Sequence, residues 1–283
     1  IVSMDSYARL KVAQGQGWSL FAPLEAVTTM PAARLVAHAG VCRGQRVLDV
    51  ACGTGVVALT AARVGAVVSA IDLSPELIVY GRQHATLAGA NIVFKEGDVE
   101  ALPYEDASFD VVLSQFGHMF APRPDVAVAE MLRVLRPGGT LAFSTWPPEH
   151  FVGQMFALVA RHAPPPPGAA PPAQWGDPDT VRQRLGDAVS DIVFDRGIMD
   201  FPALSAQHYR RGMEHTLAPV VELVAALQED PTALAAFRSE LDAFLDRHLA
   251  ENRVRHHYLM TRATRSGRAM GRGAPEGPPD LTA

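Results

Sequence analysis

A glycine-rich turn between a short apolar strand and a helix is the part of this sequence best suited to chemistry. Residues 46–50 read Arg-Val-Leu-Asp-Val, residues 51–55 read Ala-Cys-Gly-Thr-Gly, and a helix is predicted to follow. Glycines in such a turn let a ligand approach the backbone closely, and the helix presents its first N–H groups to that ligand. The pattern indicates a nucleotide-type cofactor at this turn.

Three acidic residues are expected around the turn. Asp49 lies just before it, Asp72 closes the second predicted strand 19 positions after Gly53, and Asp98 follows the third strand. An acid at the end of the second strand typically binds ribose hydroxyls. A pocket this acidic disfavours a diphosphate and suits a cofactor that carries a sulfonium and an ammonium group. The charges therefore favour S-adenosyl-L-methionine.

The same turn also fits a second class of cofactor. Residues 53–58, Gly-Thr-Gly-Val-Val-Ala, satisfy the dinucleotide fingerprint G-x-G-x-x-G/A. An NAD-dependent oxidoreductase would have to place its pyrophosphate beside the Asp49 carboxylate, which repels it. That function is kept as an alternative, and so is a non-catalytic protein that binds S-adenosylmethionine through the same motifs.

Five segments, in order along the chain, resemble the motifs of class I S-adenosylmethionine-dependent methyltransferases. They are 47–55 (motif I), 72–73 (the acidic motif II), 97–103 (the adenine-binding segment), 109–112 (the fourth strand) and 135–139 (the turn before the fifth strand). The resemblance covers about residues 44–146. Within the superfamily the sequence is most similar to the branch that contains the ubiquinone and menaquinone biosynthesis methyltransferases.

The resemblance implies a role for each matching position. The turn is expected to lie under the methionine part of the cofactor, with Asp49 orienting its ammonium group. Asp72 is expected to hold both ribose hydroxyls, and Asp98 to accept a hydrogen bond from the adenine amino group. Ala51 departs from the family pattern, which often has glycine there. The implied cofactor residues are Asp49, Ala51, Cys52, Gly53, Gly55, Asp72, Leu73, Asp98, Val99 and, through their backbone, Ser114 and Gln115.

Two residues are candidates for the acceptor side of the site. His118 follows the fourth strand on the carboxyl edge, where open α/β sheets bind ligands, and is a candidate general base. The alternative is a loop histidine that bonds to backbone. Trp146 follows the fifth strand and is a candidate wall for the acceptor, or else part of the core. His256 and His257 are adjacent on a strand and point to opposite faces, so no metal site is predicted.

The alternation of apolar segments with helical stretches predicts an α/β fold. The resemblance implies a Rossmann-like, seven-stranded, mostly parallel sheet flanked by helices, whose last strand is antiparallel and is supplied by residues 254–261. The predicted strands before it are 46–50, 66–71, 91–95, 109–114, 139–145 and 191–201, and the predicted helices are 23–39, 55–64, 75–87, 125–135, 205–228 and 231–250.

Five segments are expected along the chain. The first, an N-terminal lid, and the third, which contains a helical cap, are expected to close the site. The five segments are an N-terminal helical lid (1–40), a cofactor-binding core (41–146), a proline-rich connector with a sheet strand and a helical cap (147–250), a terminal strand (251–265) and a flexible tail (266–283).

The composition limits the partners. The chain has 283 residues, 48% of them hydrophobic, and a net charge of −5, which provides no field to hold a polyanion. No apolar run is long enough to span a membrane, and no signal peptide opens the chain, so a cytoplasmic protein is expected. The expected function is methyl transfer to an O, N or C atom of a small molecule, with S-adenosyl-L-homocysteine as product. The sequence does not indicate which molecule is the acceptor or how many copies of the protein associate.

Overall fold

An eight-stranded sheet carries the glycine-rich turn at its centre. The structure is a computed structural model that describes residues 4–267, with side chains from residue 7 onward. Its strands are β1 (Arg46–Val50), β2 (Val67–Asp72), β3 (Ile92–Glu96), β4 (Phe109–Gln115), β5 (Leu135–Thr145), β6 (Val189–Pro202), β7 (Leu249–Ala250) and β8 (Arg253–Arg265).

The order of the strands places a ligand crevice at the ends of β1 and β4. The sheet runs β3-β2-β1-β4-β5-β8-β6, with the short β7 paired to β8. Strands β1 to β5 are parallel, and β8 lies antiparallel between β5 and β6. The strand order reverses between β1 and β4, which is where open α/β sheets bind their ligands. The mostly parallel, Rossmann-like sheet with an antiparallel last strand is confirmed.

Helices cover both faces of this sheet. They are α1 (Met4–Gly17), α2 (Glu25–His38), α3 (Val56–Val64), α4 (Pro75–Ala88), α5 (Pro124–Val134), α6 (Phe151–His162), α7 (Pro178–Leu185), α8 (Ala206–Thr216), α9 (Ala218–Ala226) and α10 (Pro231–Asp246). Alternate residues of β1 point to opposite faces: Val47 packs with α2 and α3, whereas Leu48 packs in the cluster that includes α5 and α6. Burial on both faces explains why these strands are almost wholly apolar.

The structure corrects several predicted element boundaries. The single helix predicted over 205–228 is two helices, because Pro219 lies in the first turn of α9 and cannot continue α8. The helix predicted from residue 23 begins at Glu25, after a 3-10 helix over Trp18–Leu24. Helices α1, α6 and α7 lie within the predicted helical lid and cap, but no bounds were predicted for them. The tail predicted over 266–283 lies outside the described residues from 268 onward, and among the described residues no helix has the length and apolarity of a membrane span.

Helix α6 packs unusually closely against the segment that follows β5. A Cβ atom at Gly153 would lie 2.4 Å from the carbonyl oxygen of Pro147 and 2.6 Å from the Cα atom of Pro148. Gly176 makes a similar approach, since its Cβ would lie 2.2 Å from the carbonyl oxygen of Trp146. These two glycines therefore fix the backbone on which Trp146 is carried.

We expect Gly153→Ala to lower the free energy of unfolding by about 1–3 kcal/mol, because the added methyl meets backbone that cannot move aside cheaply. The matched control is Gly212→Ala in α8, where a Cβ meets nothing within 4 Å. Alanine there should stabilise the helix by up to about 1 kcal/mol. Urea unfolding of both variants measures the difference, and equal effects would contradict the close approach of α6.

Candidate cofactor and acceptor site

A cavity of about 620 Å³ opens at the carboxyl ends of β1 and β4. This volume lies within the range of roughly 300–1,000 Å³ that is typical of small-molecule sites. Its walls come from the glycine-rich turn, the ends of β2 and β4, the segment after β3, α1 with the following 3-10 helix, and the cap formed by α6 and α8. The predicted cofactor residues line it with two exceptions, Gly55 and Ser114.

The turn that follows β1 is held in a left-handed conformation. The φ angles are +52° at Ala51, +55° at Gly53 and +84° at Gly55. Alanine adopts this conformation at a cost, which accounts for the glycine often found there in the family. A Cβ at Gly53 would meet nothing within 4 Å, so this residue leaves open space in the cavity wall, whereas Gly55 packs against the ring of Phe94. Gly55 therefore shapes the turn by its packing on Phe94, and it does not itself line the cavity.

Asp49 is a buried carboxylate that lines the cavity. Its Oδ2 accepts a hydrogen bond from the Ala58 N–H at 2.9 Å, near the start of α3. Its Oδ1 is buried and has no hydrogen-bond partner among the described residues. Burial raises the pKa of Asp49 well above its ordinary value, and the nearby charge of Asp72 adds to that effect. A cation placed at Oδ1 would relieve both the burial and the missing partner.

Asp72 fixes the turn to the end of β2. Its Oδ2 accepts a hydrogen bond from the Gly53 N–H at 2.8 Å, and its Oδ1 accepts one from the Ser74 N–H at 2.9 Å. Burial raises the pKa of Asp72, and these backbone N–H groups oppose the rise. The sequence predicted a ligand-binding role alone for this residue, whereas the structure also shows that it organises the backbone.

An ionic cluster joins α1 to the side of the cavity where Leu73, Asp98 and Val99 lie. The Lys11 Nζ lies 2.6 Å from Asp98 Oδ2 and 2.6 Å from Glu100 Oε2. Glu100 is buried and also accepts from the Arg123 side chain at 2.7 Å. The cluster holds α1 over the cavity, and sequence analysis missed both Lys11 and Glu100 because the two segments lie far apart in the chain.

The end of β4 presents Gln115 to the cavity and turns Ser114 away from it. Gln115 Nε2 donates to the Thr28 carbonyl oxygen at 3.0 Å, and its Oε1 is buried with no partner among the described residues. The hydroxyl of Ser114 accepts from the His118 N–H at 3.2 Å, behind the cavity wall. Successive residues of a strand point to opposite faces, so these neighbours cannot both face the ligand with their side chains.

The structure does not bring His118, the predicted general base, to the cavity. Its side chain is buried against the rings of Phe143 and Trp175, with ring centroids 4.6 and 4.8 Å away. Neither ring nitrogen has a hydrogen-bond partner among the described residues, and burial lowers the pKa of His118 to about 3. His118 is therefore a neutral core histidine, and it is not among the residues that line the cavity.

The side of the cavity nearest β5 is aromatic. Trp146 lines it and stacks on Phe116, with ring centroids 3.8 Å apart and an interplanar angle of 9°. Tyr209 of α8 and His256 of β8 also line the cavity, and their Oη and Nε2 atoms lie 2.7 Å apart. Sequence analysis missed this pair because the two residues are 47 positions apart and no local pattern joins them.

The comparisons with known proteins agree with this geometry. Residues 48–143 match the methyltransferase domain family. The uncharacterized protein Rv1405c of Mycobacterium tuberculosis is 35% identical over 231 residues, which cover 81% of this chain and 84% of that protein. The demethylmenaquinone methyltransferase of Renibacterium salmoninarum is 36% identical over 170 residues, which cover 54% of this chain and 70% of that protein.

Two solved structures show the same fold. The YcgJ protein from Bacillus subtilis is 18% identical, with a TM-score of 0.57, and the match covers 84% of this chain and 99% of that chain. The 4+2 cyclase SpnF is 20% identical, with a TM-score of 0.56, and the match covers 89% of this chain and 94% of that chain. The sheet order and the cavity at its switch point are those of a Rossmann-like methyltransferase. The chain belongs to the family of class I S-adenosylmethionine-dependent methyltransferases.

We expect Asp49→Asn to stabilise the protein at neutral pH in the absence of ligands. Because the pKa of Asp49 is raised by folding, the native state binds its proton more tightly than the unfolded state, and stability falls as pH rises above about 4. Asparagine does not ionise and therefore removes that loss.

Urea unfolding near pH 4 and near pH 8 measures this effect. The stability of Asp49→Asn relative to wild type should be greater at the higher pH. Asp179→Asn is the control, because the side chain of Asp179 is 90% exposed. A difference between Asp49→Asn and wild type that does not change with pH would contradict the buried, protonation-sensitive carboxyl.

Proposed function

We propose that this protein binds S-adenosyl-L-methionine in the cavity and transfers its methyl group to an O, N or C atom of a small-molecule acceptor, with S-adenosyl-L-homocysteine as product. The observation that carries the proposal is the Asp49 side chain, which lines the cavity while its buried Oδ1 has no hydrogen-bond partner among the described residues. An ammonium group is the complement that such an oxygen lacks. Family membership supports the same cofactor.

The residues present fit the cofactor at both of its ends. Gly53 leaves open space in the cavity wall where any larger side chain would intrude. The oxygens of Asp72 each accept one backbone N–H, and a carboxylate oxygen has a second lone pair with which to accept a ribose hydroxyl. Leu73, Asp98 and Val99 line the opposite end, where the resemblance places adenine.

When bound, S-adenosylmethionine supplies an electrophilic methyl group on a sulfonium. The protein's own contribution is to bind, orient and exclude water. Asp49 orients the ammonium end, Asp72 the ribose, and Asp98 the adenine amino group. The stacked Phe116 and Trp146 rings form a wall on the β4–β5 side, where an acceptor held close to the methyl group gains most of its rate from proximity and orientation. Helix α1, fixed by Lys11, covers the site and excludes water.

The nicotinamide alternative is disfavoured by the same features. A pyrophosphate at the glycine-rich turn would lie beside Asp49 and Asp72, whose charges repel it. The non-catalytic alternative shares every cofactor contact. Binding alone therefore does not establish methyl transfer, and turnover has to be measured as well. A solved structure of this fold is that of a 4+2 cyclase, so the fold does not decide the reaction.

Calorimetric titration with S-adenosylmethionine, S-adenosylhomocysteine and NAD tests the cofactor. We expect the first two to bind and NAD not to bind. Asp49→Asn should weaken both by about 10-fold to 100-fold, the value of a lost charge-assisted hydrogen bond. Asp179→Asn, on the exposed face of α7, should leave both affinities unchanged. Binding of NAD alone would overturn the cofactor assignment.

Turnover is measured with S-adenosylmethionine that carries a labelled methyl group, incubated with fractionated small-molecule extracts. A labelled small molecule that forms with wild type, and forms more slowly with Asp49→Asn at subsaturating cofactor, is the expected result. Tight cofactor binding with no labelled product from any fraction would favour the non-catalytic alternative.

A further inference from the structure

A hydrogen-bonded pair of side chains, a half-buried tyrosine and a buried histidine, lies in the wall of the cavity. Tyr209 is on α8 and His256 is on β8, and the Oη of Tyr209 lies 2.7 Å from the Nε2 of His256. Both residues line the cavity. Neither was assigned a role by the sequence motifs, and neither is part of the cofactor contacts proposed above.

The pair is set in an aromatic and apolar surrounding. Phe201 stacks on the His256 ring, with centroids 4.6 Å apart and an interplanar angle of 16°. Phe151 lies 4.9 Å from the same ring, and Trp146 meets it edge-on at 5.8 Å. Burial raises the pKa of Tyr209 and lowers the pKa of His256 to about 3. Both groups are therefore uncharged near neutral pH.

The pair belongs to the acceptor side of the cavity and not to the adenine side. Phe116 directly follows Gln115 at the end of β4 and stacks on Trp146, which in turn contacts His256. Two ring contacts thus connect the pair to the strand end at which methyl transfer is proposed. Asp98 and Lys11 lie at the opposite end, next to the carboxyl end of the edge strand β3.

A neutral pair in an apolar wall selects against charge. A carboxylate or an ammonium group placed against it would lose its hydration and gain no opposite charge, which is costly. A hydroxyl group is a better complement, because it can both donate and accept a hydrogen bond. The Tyr209 phenol and the His256 imidazole together can accept the first and donate the second. The rings of Trp146 and Phe201, which line the cavity beside the pair, favour a flat apolar body through offset and edge contacts.

We propose that Tyr209 and His256 are the specificity-determining residues of the acceptor site, and that they anchor an uncharged, ring-containing acceptor through one of its hydroxyl groups. The inference rests on the proposed function, since it uses that function to define which side of the cavity the acceptor occupies. It does not depend on which atom receives the methyl group.

Binding of three matched probes tests the proposal without turnover. The probes are 4-propylphenol, propylbenzene and 4-propylbenzoate, which share one body and differ in the group that meets the pair. Quenching of tryptophan fluorescence reports binding, with S-adenosylhomocysteine present and absent. Wild type should bind the phenol about 5-fold to 10-fold more tightly than propylbenzene, as one neutral hydrogen bond predicts, and at least about 10-fold more tightly than the benzoate.

Tyr209→Phe should abolish the preference for the phenol over propylbenzene while leaving the affinity for propylbenzene unchanged. His256→Gln keeps a hydrogen-bonding group and should retain part of the preference, whereas His256→Leu should lose it. Tyr80→Phe is the matched control, because Tyr80 is on α4, is 43% exposed and does not line the cavity. A loss of propylbenzene binding as well would indicate a disrupted cavity, and the His256 variants then decide the question.

The outcomes separate this proposal from the proposed function. A phenol preference that survives Tyr209→Phe and His256→Leu, or benzoate binding as tight as phenol binding in wild type, would overturn the role of the pair. If S-adenosylhomocysteine fails to bind wild type while the phenol preference still depends on Tyr209, the proposed function fails and the anchoring pair stands.

Discussion

The Asp49 side chain lies at the end of a strand that is covered on both faces, so its carboxylate is removed from water before any ligand arrives. One backbone N–H, from Ala58, satisfies one oxygen, and the other oxygen has no partner in the part of the chain that the structure describes. A second buried acid, Asp72, lies close enough to raise the pKa of Asp49 further. Burial of this carboxylate without an opposite charge destabilises the folded protein, and a bound cation offsets that cost. The unpaired carboxylate therefore favours binding of the positively charged group that is proposed to occupy the site.

The same constraint explains the geometry of the turn. Asp72 accepts from the Gly53 N–H, which draws the turn toward the end of β2 and requires positive φ angles at Ala51, Gly53 and Gly55. The left-handed backbone leaves open space at Gly53 and brings α3 to begin next to Asp49. Asp72 therefore shapes the glycine-rich turn, and Asp49 supplies the negative charge next to it.

The cofactor half of the site was predictable from the sequence because its determinants are local. A strand, a glycine-rich turn and an acid at the next strand end lie within about 30 consecutive residues, and parallel pairing places them together in any fold of this class. The acceptor half was not predictable in this way. Tyr209 meets His256 only because β8 inserts between β5 and β6 and α8 folds back across it. Lys11 meets Asp98 and Glu100 across more than 80 residues of chain.

His118 illustrates the limit of reasoning from strand ends. Its position after β4 is correct for a ligand-facing residue, yet the backbone turns at Phe116, where φ is +58°, and sends the histidine into the core while the phenylalanine ring faces the cavity. The spacing of residues places a segment at the edge of the sheet but does not decide which side chain of that segment points outward.

The two halves of the cavity have opposite electrostatic character. The cofactor side is acidic and holds Asp49, Asp72 and Asp98, whereas the acceptor side is aromatic and holds a neutral tyrosine–histidine pair. A positive cofactor is attracted by the first side, and a neutral acceptor loses little on entering the second. The elements follow this division: the acids lie at the ends of β1, β2 and β3, whereas Trp146, Tyr209 and His256 follow β5 in the chain. Changes in the segments after β5 are therefore expected to alter the proposed acceptor without disturbing the buried acids of the proposed cofactor side.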